Sequence, residues 1–141
     1  MAGAIKHPKP ALDQETRAYW EGAGRHELVL QRCVACGATQ HRPRALCATC
    51  LSERIEHFVA SGRGTLHTYT VTHQNQAPGF REALPCVLAV VQLDEGPRMM
   101  TNLVGCAPDA VRIGMPVVVE YEDVTSEITL AKFKPAEAAT A

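Results

Sequence analysis

CVACGATQHRPRALCATC, residues 33 to 50, carries four of the six cysteines of this chain in the spacing C-x2-C-x10-C-x2-C. Two such pairs make a metal site, because each tight turn brings two thiolates within reach of one ion. Cys33, Cys36, Cys47 and Cys50 are therefore assigned as ligands. Gly37 follows the second cysteine, where a knuckle turn calls for a positive φ. Four sulfur donors suit zinc first and iron second. They leave no coordination position for water or substrate, so the expected role of the metal is structural.

Working outward, HELVLQRC (26–33) alternates apolar and polar residues like a strand entering the cysteine segment, and LSERIEHFVA (51–60) resumes that alternation after it. From Gly62 onward the pattern is all-β. GTLHTYTVTHQN, PCVLAVVQLDEG, RMMTNLVG, PVVVEYEDV and EITLAKFKP are separated by Gly, Pro and Asp signals, and APDAVRIGM supplies one short helical turn. Five strands with a small connecting helix fit an OB-fold barrel better than a sandwich of seven or more. The Gly62-Arg63-Gly64 turn marks the passage from metal module to barrel.

Upstream, Asp13 is placed to cap a helix on which Leu12, Thr16, Tyr19, Trp20 and Ala23 recur at helical spacing, with Gly22 and Gly24 at its exit. So short a helix needs a surface to dock on. The expected organisation is mainly β: an arm and docking helix over 1–27, a rubredoxin-like zinc ribbon over 28–60, the OB-fold over 61–135 and a fraying tail over 136–141.

At 141 residues, 46% hydrophobic and 21% charged, the composition is that of a globular domain. A formal net charge of -1 excludes strong global attraction to nucleic acid or anionic membrane. MAGAIKHPKPALDQ has no apolar leader core, no run approaches a membrane span, and paired cysteines suit a reducing compartment, so a cytoplasmic location is expected.

Arg32, His41, Arg42 and Arg44 crowd the cysteine segment, with Pro43 stiffening the loop. They read either as a solvated basic face or as an anion site, since arginine binds phosphate in bidentate fashion. His67 and His73 are six apart, which in an uninterrupted strand puts them on one face. Cys86 and Cys106 read as buried thiols, and Asp94-Glu95-Gly96 as a hairpin turn. Ser52, Ser61 and Ser126 lack a nucleophile-elbow pattern, and no catalytic constellation emerges.

The ordered set AYWEG (18–22), LQRCVACGATQHRPRALCATC (30–50), SGRGTLHTYTV (61–71), LDEGPRMMTNLVG (93–105) and VRIGMPVVVEYEDV (111–124) resembles the zinc-ribbon OB-fold proteins of the DUF35 family, over about Leu12 to Pro135. The resemblance implies a non-catalytic subunit of a hetero-oligomer. Its partner would be a thiolase-like enzyme or, alternatively, a MaoC-like enoyl-CoA hydratase, and it would help to handle a bulky acyl-CoA such as a steroid side-chain or aromatic intermediate. Tyr19 and Trp20 then pack the helix onto this chain or its partner, and Arg32, Arg42 and Arg44 become candidates for the phosphates of coenzyme A. A rival reading is a single-stranded nucleic-acid binder, but such proteins combine a basic groove with stacking rings. Here aromatics are 5% of residues, with Tyr69 and Phe80 the candidates for the barrel face.

Overall fold

The structure, a computed structural model, describes residues 8–136. Most of the expected arm and the tail from residue 137 lie outside that range. A helix, α1 (Arg17–Gly24), leads into a three-stranded antiparallel sheet built from β1 (Val29–Cys33), β2 (Thr39–Gln40) and β3 (Ile55–Val59), in the order β2-β1-β3. β4 (Arg63–Thr72), β5 (Cys86–Leu93), β6 (Arg98–Leu103), β7 (Pro116–Asp123) and β8 (Thr129–Pro135) then close a barrel in the order β4-β5-β6-β8-β7. This is the five-stranded OB arrangement, with a single 3-10 turn at Pro108–Ala110 between β6 and β7 where the sequence placed a helical turn. Among the described residues no helix is long and apolar enough to cross a membrane.

One apolar core serves the barrel and the strand that feeds the metal site. Phe133, Val91, Leu66 and Val117 fill the barrel centre, and Leu28 and Leu30 of the ribbon side join the same cluster. Because β1 is central and covered on both sides, Val29, Leu30, Gln31 and Cys33 are all buried. The alternation read in HELVLQRC therefore does not correspond to one wet and one dry face. Closure of the barrel depends on the parallel seam between β6 and β8, where Leu103 faces Phe133, the Val104 N–H donates to the Phe133 carbonyl at 2.7 Å, and the Thr101 hydroxyl donates to the Ala131 carbonyl at 3.0 Å.

The helix starts later and ends differently from its sequence pattern. Asp13 and Thr16 form a reciprocal turn, with the Thr16 N–H donating to Asp13 Oδ1 at 2.9 Å and the Asp13 N–H donating to Thr16 Oγ1 at 3.3 Å. Asp13 thus secures the lead-in, Thr16 stands at the helix start, and Leu12 lies outside the helix and half exposed. At the other end the left-handed residue is His26 (φ 60°), not a glycine; the His26 N–H bonds Ala23 O and the Glu27 N–H bonds Gly22 O, both at 2.8 Å. The His26 ring stacks on Tyr121 at 4.9 Å, and its Nε2 lies 3.0 Å from Asp123 Oδ1. These contacts offset the left-handed conformation and tie the helix end to β7.

The two glycines that looked like exit signals differ in kind. Gly24 faces open space, whereas a Cβ on Gly22 would sit 2.3 Å from Val29 Cγ2. At the junction, Gly64 is pressed against the Gln92 carbonyl and Val91, and Gly62 has φ 79° with Val119 alongside. β4 also carries a bulge at His67: Leu66 pairs with Val91 and Thr68 with Val90. The extra residue flips the inward parity from Gly64 and Leu66 to Tyr69 and Val71, so the period-2 argument placing His67 and His73 on one face fails, and His73 lies beyond the strand.

Gly22→Ala is expected to destabilise the protein by about 1–3 kcal/mol through overpacking against Val29. The urea midpoint measures the cost, and adding Val29→Ala is expected to recover part of it, whereas Gly24→Ala has space for its methyl group.

Candidate functional site

The two knuckles are hydrogen-bonded turns of matching design. In the first, the Gly37 N–H donates to Cys33 O at 2.8 Å and the Cys33 N–H to Ala38 O at 2.9 Å; in the second, the Leu51 N–H donates to Cys47 O at 3.0 Å and the Cys47 N–H to Ser52 O at 2.9 Å. Gly37 (φ 78°) and Leu51 (φ 64°) occupy equivalent left-handed positions. The four sulfurs all lie within 4.8 Å of one another, with Cys33–Cys50 and Cys36–Cys47 each at 3.6 Å. A tetrahedral ion with metal–sulfur bonds of about 2.3 Å needs sulfur–sulfur edges of about 3.8 Å. The donor set therefore fits a four-thiolate structural metal.

Backbone amides prepare these thiols. The N–H groups of Cys50 and Thr49 bring the Cys47 thiol down to about 6, the Thr49 N–H lying 3.3 Å from the sulfur, and the Cys36 N–H lowers Cys33. Backbone N–H groups act in the same direction on Cys36 and Cys50, but there burial and the neighbouring thiols outweigh them and both are pushed up. Thiolate is the ligating form, so the turns favour the state that binds metal, against the mutual repulsion of four sulfurs that the ion itself relieves.

Between the knuckles the chain has almost no apolar core and is held by amide side chains instead. Gln31, buried on β1, donates from Nε2 to Arg44 O and accepts at Oε1 from the Arg44 N–H, both at 3.0 Å. Gln40 donates from Nε2 to Gln31 Oε1 at 2.7 Å and accepts the Ala48 N–H at 2.9 Å. The loop is thus fastened at Arg44 and Ala48. A side chain that hydrogen-bonds both the N–H and the C=O of one residue acts like a missing sheet neighbour.

The candidate arginines do not all converge. Arg32 lies over the Phe58 ring at 4.2 Å and 3.5 Å from Glu56, on the opposite face of β1 from Gln31. Arg44 is exposed on the loop that Gln31 clamps. Arg42 lines a groove of about 330 Å³ with Tyr19, Trp20, His41, Met100 and Lys132. Lys132, which is ion-paired to Glu122, reaches this groove from β8. No sequence motif pointed to Lys132, because only closure of the barrel brings β8 beside the ribbon.

Tyr19 and Trp20 meet edge to face at 5.1 Å, and Tyr19 also meets the His41 ring at 5.6 Å. Tyr19 packs against the shared core, and burial pushes its hydroxyl up to about 12. It therefore docks the helix onto its own chain, while Trp20 stays half-buried at the groove wall. Burial, with the neighbouring Arg42 charge, pulls His41 down to about 4.

Other residues fall elsewhere. Glu95 Oε2 accepts the Ser61 N–H at 2.9 Å and its carbonyl accepts the Thr39 hydroxyl at 3.0 Å, so the β5–β6 hairpin turn also latches ribbon to barrel. Cys86 and Cys106 are half-buried rather than fully buried. Tyr69 turns into the core, its hydroxyl 3.5 Å from Val111 O, while Phe80 lines a separate cavity at the far end of the barrel; the two rings form no common platform.

A four-thiolate ribbon joined through one core to a five-stranded barrel defines the class: a zinc-ribbon OB-fold protein. Residues 20–56 match the family described as "ChsH2, rubredoxin-like zinc ribbon domain" and residues 59–122 match "ChsH2, C-terminal OB-fold domain". A "DUF35 domain-containing scaffold protein" of Methanocaldococcus jannaschii is 35% identical over 80% of this chain and 84% of its own length. The chain belongs to the DUF35 family.

A "Probable enoyl-CoA hydratase alpha subunit" of Thermomonospora curvata is 41% identical over 92% of this chain, and the "3-oxo-4,17-pregnadiene-20-carboxyl-CoA hydratase alpha subunit" of Mycobacterium tuberculosis is 39% identical over 82%. This chain spans only 40% and 36% of their respective lengths. Among solved structures, a chain of the "Ltp2-ChsH2(DUF35) aldolase" superposes with a TM-score of 0.80 at 40% identity, covering 90% of this chain and 98% of that one.

Two outcomes are expected. Cys47→Ser should lose the metal, measured by elemental analysis, and unfold the ribbon; full metal retention with an unchanged melting temperature contradicts the assignment. His41 should make stability pH-dependent. Its folded pKa of about 4 lies below the unfolded value of about 6.5, so its stabilising effect is complete above pH 6.5 and is lost as pH falls toward 4, by at most about 3 kcal/mol. The difference between wild-type and His41→Phe unfolding curves over that window isolates this effect from metal loss.

Proposed function

We propose that this chain is a non-catalytic accessory subunit that binds a thiolase-like acyl-CoA enzyme and helps to hold the coenzyme A part of a bulky acyl-CoA. The observation that supports it most is the near-complete match to the DUF35 chain of an aldolase assembly, joined to the absence of any open metal coordination position among four thiolates. The metal in this reading is zinc, contributing roughly 10–16 kcal/mol of folding free energy to a module held otherwise by amide hydrogen bonds.

Arg42 and Lys132 are the phosphate ligands we assign, with Trp20 offering a ring face beside them. Arg44 stands on the same clamped loop. Arg32, engaged with Glu56 and Phe58, serves the partner-facing side of the ribbon. A hydratase partner is the second reading, favoured by the alpha-subunit names of the longer relatives. The bulky acyl group is read from the steroid thioester in one of those names.

Co-expression with thiolase-like and hydratase-like candidates should give a complex with one of them by gel filtration, and Arg42→Ala with Lys132→Ala should weaken CoA binding at least ten-fold without lowering the melting temperature. A chain that stays alone beside every such partner, binds no CoA and leaves partner activity unchanged overturns the reading.

A further inference from the structure

A large cavity lies toward the end of the barrel away from the metal. The ribbon meets the start of β4 and the β5–β6 hairpin, whereas this cavity, of about 740 Å³, is built from Thr72 at the end of β4, Cys86 to Leu88 at the start of β5, and the end of β6. Phe80, Leu88, Val104, Val124, Ile128 and Leu130 give it mostly apolar walls. Thr72, Asn75, Asn102, Lys132 and Lys9 supply its polar lining, with the Asn102 amide also donating to Val87 O and Lys132 sharing its charge with Glu122. Among the described residues no aspartate or glutamate lines it, although the chain has 15 acidic residues.

One wall comes from the connection between Thr72 and Cys86, whose regular structure is a single 3-10 turn at Arg81–Ala83. Its Asn75 side chain accepts the Ala77 N–H at 3.0 Å, and it brings Asn75, Phe80 and Ala83 to the cavity. Connections this long, with so little structure of their own, are uncommon in compact domains and usually serve binding. The volume falls within the range of about 300–1,000 Å³ for small-molecule sites, which combine apolar walls with a few polar groups.

We propose that this cavity binds the apolar body of an amphipathic carboxylic acid or of its thioester. A ring system or long alkyl chain lies against Phe80, Leu88 and Ile128, and the carbonyl end lies at the Asn102–Lys132 rim. Apolar burial supplies the affinity and the cationic rim the orientation. The site belongs to the isolated chain and needs no partner; it shares Lys132 with the groove assigned to the coenzyme A phosphates, so the variants at Leu88 and Ala83, which line the cavity alone, test it separately from the accessory role.

Fluorescence titration of the full chain with cis-parinaric acid tests it. Saturable binding of one molecule per chain is expected. Leu88→Trp, which fills the cavity from a partly exposed position, is expected to weaken it at least ten-fold at an unchanged melting temperature. Ala83→Trp, on the surface turn, provides the same test should Leu88→Trp fail to fold. Lys132→Met should weaken the acid while leaving an uncharged sterol unaffected. Competition separates the two sources: displacement by both decanoic acid and decanoyl-CoA shows that the acyl body is read, and displacement by the acid alone shows that the free carboxylate is the ligand. No saturable binding, competition by neither compound, or a filled cavity that binds as tightly as the wild type overturns the proposal.

Discussion

The convergence of four thiolates is the constraint on which the ribbon rests. Two turns and a short sheet could not exclude water from a core of their own, and the metal replaces that core with four short bonds. Its effect extends beyond the knuckles, because Cys33 ends the strand whose earlier residue Leu30 is packed among the barrel side chains. Only Gln31 and Arg32 thus separate the metal site from the barrel core along the chain. The Glu95 latch and the His26–Tyr121 stack add attachments on other sides.

Polar groups carry much of the remaining organisation. Gln31 and Gln40 do in the ribbon what a further strand does in a larger sheet, and Gln31 does so from a buried position, where an amide bond cannot be replaced by water. This places the inter-knuckle loop against the helix and the β6–β8 seam. The groove containing Arg42 is the product of four segments that are distant in sequence: the helix, the inter-knuckle loop, β6 and β8.

The four-cysteine cluster, the five strands of the barrel and the small helical turn were legible because each has a local signature: paired cysteines, period-2 alternation and punctuating Gly, Pro and Asp; the two-residue β2 is too short to have one. What escaped local reading depends on tertiary contact. His26 takes the left-handed position because Tyr121 and Asp123 reward it, and Gly22 is small because Val29 lies against it. Arg32 looked equivalent to Arg42 and Arg44 by proximity, yet strand pairing sends it to the opposite face. Lys132 carried no signal at all, since a lysine in an alternating strand is ordinary until barrel closure gives it neighbours.

The bulge at His67 gives β4 a property that residue identity alone does not convey. Upstream of it the strand serves the ribbon-side half of the barrel; downstream it serves the half that opens into the far cavity, with inward positions on opposite parity. One additional residue acts as a phase shifter between two segments of a single strand. Substitutions at His67 meet mostly solvent, but loss of the position itself puts the two segments out of step, so the chain tolerates variety there in chemistry and little in length.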